Sequence, residues 1–219
     1  MKKKIFILLF VAVLLALPIF WVIKKNYQNS PEEKINKTSI AGLFTGLHEK
    51  YIINPKIENN IYRAAITCNN DNVWEYDPTY YKLNYPNGDV PSGGACTDVV
   101  IRVLRKNGMD LQQLIHEDMS EHFDEYPNKW NLNKPDHNID HRRVPNIMKY
   151  FERQGYNRTI TNDADDYQPG DIVTWELSPG ITHIGIVVEN QDVFHNMGPT
   201  SRIQSDFLFS HTIIGHYRI

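Results

Sequence analysis

From Ile5 to Ile23 the chain carries an unbroken run of apolar side chains, with Lys2, Lys3 and Lys4 before it and Lys24 and Lys25 after it. No other feature restricts the fold so sharply. A helix of roughly twenty apolar residues spans the hydrocarbon core of a bilayer. A surface helix of a soluble domain would keep a polar face toward water. The run ends Pro18-Ile-Phe-Trp-Val-Ile23, without a small-x-small cleavage signal. It therefore reads as an uncleaved signal anchor, with a cleaved and secreted form as the alternative. The longer basic cluster at the start places the N-terminus inside and the body of the chain outside the membrane. The expected organisation is an anchor over residues 1–25, a polar tether over 26–45 and one globular domain over 46–219. The tether is charged and carries Pro31.

The domain is long enough to bury a core of its own. The formal net charge of the whole chain is −3, so no basic field points to nucleic acid. Export places Cys68 and Cys96 in an oxidising compartment, where a disulfide between them must be weighed. The setting of Cys96 argues instead for a free thiol.

Within the domain the hydrophobic spacing changes character halfway. Ile57, Ile61, Ala64, Ala65 and Cys68 share a helical face. An aromatic loop follows from Trp74 to Tyr81, then a stretch rich in Pro and Gly that ends at Gly93-Gly94. Cys96 to Lys106 is a helix by its Val99, Val100, Val103 and Leu104, stopped at Gly108. Asp110 is placed to cap a further helix through Leu111, Leu114, Ile115 and Met119. Val144 to Gln154 forms another, ended by Gly155. After that the pattern turns to strands: Asp171–Glu176, His183–Glu189, Asp192–His195 and Ile213–Ile219. Helices first and an antiparallel sheet after is an α+β layout.

The chemistry-bearing residues cluster in two places. Cys96 enters the first turn of a helix from a Gly-Gly turn. Free backbone N–H groups and the helix dipole stabilise a thiolate there, and the same groups can hold an oxyanion. His183 opens an apolar strand after a polar turn, where an imidazole packed against the Cys96 helix can take the thiol proton. His195 stands on the next strand and can orient His183, as the third member of a triad does, with Asn196 and Asp192 as competitors. A buried structural cysteine and a surface histidine remain the plain alternatives for the two ends of this pair.

The residue strings carry a resemblance. Pro169-Gly-Asp-Ile-Val-Thr-Trp175, His183-Ile-Gly-Ile-Val-Val-Glu189 and Val193-Phe-His195-Asn196 resemble the C-terminal half of the NlpC-type cell-wall cysteine peptidases. Tyr76-Asp-Pro-x-Tyr80, Tyr85-Pro-x-Gly-Asp-Val-Pro91, Cys96-Thr-Asp-Val-Val-Ile-Arg102 and Asn138-Ile-Asp-His-Arg-Arg-Val-Pro145 are similar to a bacterial YijF-like family placed in that superfamily. The resemblance runs from about Ile57 to Ile219. It implies a papain-like fold, a Cys96–His183 dyad with His195 third, and hydrolysis of amide bonds in peptidoglycan stem peptides. One departure stands out: Asp98 follows the cysteine, where the peptidases carry an acidic residue before it.

Tyr80, Asp98, Asp140, His141 and Arg142 are the candidates for substrate binding. The loop Asn138–Arg143 can clamp a carboxylate, with Arg acting bidentately. Its alternative role is structural, with Asp140 capping the following helix. His137 and His141 have zinc-like spacing, but no His-Glu-x-x-His motif is present, so neither a metal nor another cofactor is expected. The expected protein is a membrane-anchored, extracytoplasmic cysteine hydrolase, monomeric, acting on peptidoglycan or another amide substrate. A silent envelope-binding module and an acyltransferase or thioesterase with the same dyad are the competing functions.

Overall fold

The computed structural model describes residues 48–219. The anchor, the whole tether and the first two residues of the expected domain lie outside the described residues. Among these no helix is long and apolar enough to cross a membrane.

Among the described residues four α-helices precede a five-stranded sheet. Helix α1 spans Asn60–Asp71, and it starts there because the Asn59 side chain accepts from the Tyr62 N–H at 2.9 Å. Helix α2 spans Cys96–Lys106, α3 Leu111–His122 and α4 Val144–Arg153. The sequence expected Asp110 to cap α3 through its side chain. Asp110 does stand at the N-cap, but its side chain makes no cap bond: the carboxylate accepts from Arg105 and from the Asn87 N–H. Nor does Asp140 cap α4, whose N-terminal flank makes no side-chain cap bond.

The strands are β1 (Ile172–Ser178), β2 (Ile181–Val187), β3 (Val193–His195), β4 (Arg202–Gln204) and β5 (Thr212–Tyr217). Their order in the sheet is β4-β3-β2-β1-β5, and every pairing is antiparallel. The α+β class and the segregation of helices before an antiparallel sheet therefore hold. Strand β4 is new relative to the sequence reading; three residues are too few to display an alternating pattern.

Successive side chains on a strand point to opposite faces, and the sheet uses both. Ile172, Ile184, Ile186 and Phe194 belong to the main core with Val99, Val100, Val103 and Leu104 of α2. Val173, Trp175, Val187 and Val193 turn the other way and are covered by Tyr167, Phe207 and Leu208. Helix α2 is thus buried between the sheet and the other helices. Each fully buried aliphatic side chain contributes about 1.5–3 kcal/mol, which holds the start of α2 against β2.

Candidate active site

Cys96 is the first residue of α2 and is buried. Two glycines make its approach possible. Gly93 (φ 61°) and Gly94 (φ 146°) adopt backbone angles that side chains rarely take, and a Cβ on Gly94 would stand 2.7 Å from the Asp98 Cβ. The turn is tied on both sides. Gly94 donates to the Glu75 carbonyl at 2.9 Å, and the Asn196 side-chain amide donates to the Gly94 carbonyl at 2.8 Å.

Asp98 sits at the third position of the helix and reaches back to the Ala95 N–H at 2.6 Å. This is half of a capping box, since Ala95 has no side-chain acceptor to return. The same carboxylate takes a forked pair of bonds from Arg142, with Nε at 2.9 Å and Nη2 at 2.9 Å. Arg142 also donates to the Thr79 carbonyl at 2.6 Å and the Asp77 carbonyl at 3.2 Å. One buried ion pair therefore ties the start of α2 to the aromatic loop.

That arrangement corrects the expected open carboxylate clamp. Asp140, His141 and Arg142 form a 3₁₀ turn, and all three are buried. Arg142 has no fork left to offer a ligand, and Asp98 is its partner. Asp140 accepts from the Asp136 N–H and lies beside Arg143, while burial raises its carboxyl to about 6. Burial, then the Arg142 charge, pushes His141 down to about 3. Only Tyr80 of the five stands half exposed, its hydroxyl donating to Asp136 at 3.1 Å.

On the sheet side the backbone N–H of Ile184, the residue after His183, acts on the Cys96 thiol, and among the described residues no hydrogen bond joins that thiol to the His183 ring. Burial pushes this thiol up to about 11; the N–H groups of Ile184, Thr97 and Cys96 itself oppose that rise. The sequence reading expected a thiolate-favouring site. Burial outweighs the helix end, so the resting group is a thiol. Cys68 and Cys96 are both free.

His183 Nε2 lies 2.7 Å from His195 Nδ1. Strand register explains the contact: with Ile186 opposite Phe194, Gly185 faces the His195 position and His183 lies diagonal to it on the same face. Gly185 is needed, because a Cβ there would meet Val193 Cγ1 at 2.6 Å and His195 Cβ at 3.1 Å. Phe207 packs on both rings and Trp175 on His183. Burial, followed by the His195 and His211 imidazoles, lowers His183 to about 3; His195 falls to about 4, chiefly through burial. The competitors for the third position are occupied elsewhere. Asn196 holds the Trp74 and Gly94 carbonyls, and Asp192 accepts from Ser205 and the Asp206 N–H.

Sequence reasoning missed three neighbours. Tyr76 is half exposed, and its phenol is raised by burial first and then by the neighbouring Cys96 sulfur. The Ile184 N–H carries no residue-type signal at all. Gln204 bonds His195 Nε2 at 3.2 Å from a strand the sequence did not reveal. A cleft of about 520 Å³ lies elsewhere, along Cys68, Trp74, Asp89, Arg102 and Lys106. Its Arg102 is already paired with Asp89 and stacked on Trp74. Among the described residues no group of three or more His, Cys, Asp or Glu side chains could hold a metal ion.

Comparison with known proteins places this arrangement in context. Two solved structures, NlpC1 and NlpC2 from Trichomonas vaginalis, match with TM-scores of 0.43 and 0.42 at 15% identity. They cover 75% and 78% of this chain, which itself spans 46% and 50% of theirs. The uncharacterized protein YijF of Escherichia coli (strain K12) is 50% identical over 150 residues, 65% of this chain and 73% of that protein. A domain of unknown function, DUF1287, matches residues 63–219, and those residues contain Cys96, His183, His195 and every strand. The chain is a member of the DUF1287 family.

Proposed function

We propose that this protein is a cysteine hydrolase of the cell envelope that cleaves an amide bond, with peptidoglycan peptides as its substrate. The observation that carries the reading is the placement of the Cys96 thiol, in the first turn of α2 and against the N–H that follows His183, which is itself bonded to His195.

Each residue then has a task. Cys96 attacks the substrate carbonyl carbon and forms a C–S bond. His183 accepts the thiol proton as the bond forms, because a buried neutral thiol and a buried neutral imidazole favour transfer during attack over a standing ion pair. Backbone N–H groups at the start of α2 stabilise the tetrahedral oxyanion. The C–N bond breaks, His183 returns the proton to the departing amine, and water hydrolyses the thioester. His195 orients His183 and exchanges no proton with substrate. Tyr76 and Tyr80 line the approach, whereas Asp98 and Arg142 act from beneath by fixing the loop. The apolar run Ile5–Ile23 would hold this domain, as a monomer, on the outer face of a membrane within reach of its polymer.

One observation favours a second reading, a binding module without chemistry: Cys96 is buried and its thiol raised. Incubating the full-length protein with purified peptidoglycan, and analysing released fragments by mass spectrometry, separates the two. New peptide termini that vanish in Cys96→Ala support hydrolysis. Retention of the polymer without fragments supports the binding module and sinks the hydrolase.

A further inference from the structure

We propose that Gln204 and Arg202 are positioning residues that fix which nitrogen of His183 carries its proton. The proposal rests on the reading in which His183 serves Cys96 as a base.

The argument begins with register. His195 pairs with Arg202 and Val193 with Gln204 across β3 and β4. Residues two apart on a strand share a face. His183 on β2, His195 on β3 and both Arg202 and Gln204 on β4 therefore form one row across three adjacent strands.

The row has only one consistent set of hydrogen positions. A guanidinium donates and never accepts. Arg202 Nη2 lies 3.0 Å from Gln204 Oε1, so that amide atom must be the oxygen, which can only accept. His195 Nε2 lies 3.2 Å from the same oxygen and must carry a hydrogen. A neutral imidazole has one N–H, so His195 Nδ1 presents a lone pair. His183 Nε2, 2.7 Å away, must donate to it. The hydrogen of His183 is thereby assigned to Nε2, and Nδ1 is left as its proton acceptor. Both rings are buried against Phe207, which keeps them neutral and makes the choice of tautomer decisive.

Arg202 selects between two polarities. If the Gln204 amide turned over, its NH₂ would face His195 Nε2. Each bond in the row would then reverse, and His183 would carry its hydrogen on Nδ1, unable to take a proton there. Arg202 is held for this task by its own bond to the Gly198 carbonyl at 2.9 Å. A second neutral histidine thus does what a carboxylate does in an acid-bearing triad, provided that something beyond it sets its tautomer.

The test reads tautomers directly, by long-range proton–nitrogen spectra of full-length protein labelled with ¹⁵N-histidine at neutral pH. The wild type should show His183 and His195 both as Nε2–H. Gln204→Glu keeps an acceptor and should keep both tautomers. Gln204→Leu and Arg202→Met remove the selection and should populate Nδ1–H at His183. Alkylation of Cys96 in Gln204→Leu should slow by at least about tenfold, as expected for a base held in the wrong tautomer. Should Gln204→Leu not fold, Arg202→Met and Gln204→Glu still carry the measurement. Nδ1–H at His183 in the wild type overturns the relay, whether or not the protein hydrolyses anything. Unchanged tautomers in Arg202→Met overturn it equally. Expected tautomers beside an inert Cys96 support the relay and remove the hydrolase reading instead.

Discussion

Two buried histidines on one sheet are wired in opposite ways. His216 on β5 meets Asp171 through Nε2 at 2.7 Å and the Thr159 carbonyl through Nδ1 at 3.1 Å. Arg218 closes on the same carboxylate with two bonds of 2.7 Å. Burial raises the Asp171 carboxyl, but bonds from Arg218, His216 and the Gln168 N–H more than offset it and hold the group below its usual range. Among the described residues His183 has no carboxylate partner, and its side chain bonds to another imidazole. Asp171–His216 has the outline of an acid–base pair, yet every polar atom of that imidazole is committed to an acceptor and no nucleophile stands beside it. His183 is bonded through one nitrogen, and the next residue's N–H touches a thiol. Pairing with a carboxylate makes a clasp; pairing with a second imidazole leaves His183 free to serve as the base proposed above.

The comparison breaks most visibly at His183. His183→Ala should lower turnover on peptidoglycan fragments by about 10²–10⁴-fold, the usual contribution of a positioned general base, while circular dichroism stays native. His195→Ala should retain measurable activity, since an orienting residue is only partly needed. Equal turnover in wild type and His183→Ala would place His183 with His216, as structure alone.

Asp171→Ala tests the other half. It leaves His216 and Arg218 facing one another without their common acceptor, and loss of one member of a buried pair costs about 3–5 kcal/mol. Arg218 is partly exposed and regains water, so about 3 kcal/mol is expected in urea unfolding. Turnover per folded molecule should be unchanged. A tenfold loss of turnover with stability intact would mean that the clasp serves chemistry after all.

The two kinds of site also answer pH differently. His183 and His141 lie near 3 and His195 near 4 in the fold, against 6.5 for a free imidazole. The unfolded chain therefore binds more protons than the fold below pH 6.5, and stability falls as pH drops toward 4. Each such group contributes about 1.4 kcal/mol per unit of that interval. Asp140, raised to about 6, acts with opposite sign between its free value of 3.8 and 6. Three groups outweigh one, so urea midpoints should decline steadily from pH 6.5 to 4. Replacing His195 by Gln should flatten the decline; an unaltered slope would argue against burial as its cause.

What the sequence disclosed follows the range of the forces involved. The start of α2 was legible to the residue, because a Gly-Gly turn, a helical apolar stripe and Gly108 are all local signals. His195 was legible because a short turn sets the register of neighbouring strands. The Asp98–Arg142 pair was not, since its partners stand 44 positions apart and each looks like an ordinary surface charge. The raised thiol of Cys96 was not either: a helix end is a local feature, whereas burial is assembled from four elements at once. Gln204 was hidden by the brevity of β4. Strand β2 begins two residues before His183, at Ile181, through pairing with Ser178 that no propensity records.

The smallest effect concerns the two thiols, where the same contrast of wiring recurs. Burial pushes Cys68 up to about 11, just as it does Cys96. Around Cys68 the further influences are the charges of Lys106, Asp71 and Arg102, whereas Cys96 is met by three backbone N–H groups. Equal resting thiols should therefore differ in reactivity, because Cys96 has backbone donors placed to stabilise the developing thiolate and Cys68 does not. In folded protein iodoacetamide should label Cys96 first, at a rate that climbs with pH, while Cys68 reacts only after unfolding. Cys68→Ala removes one buried sulfur and should cost about 1 kcal/mol of stability. Turnover should stay within about twofold of wild type, as expected for a change outside the reacting groups. Peptide mapping after brief alkylation decides the point. Labelling of Cys68 ahead of Cys96 would show that burial, and not the wiring around the sulfur, ranks the two thiols.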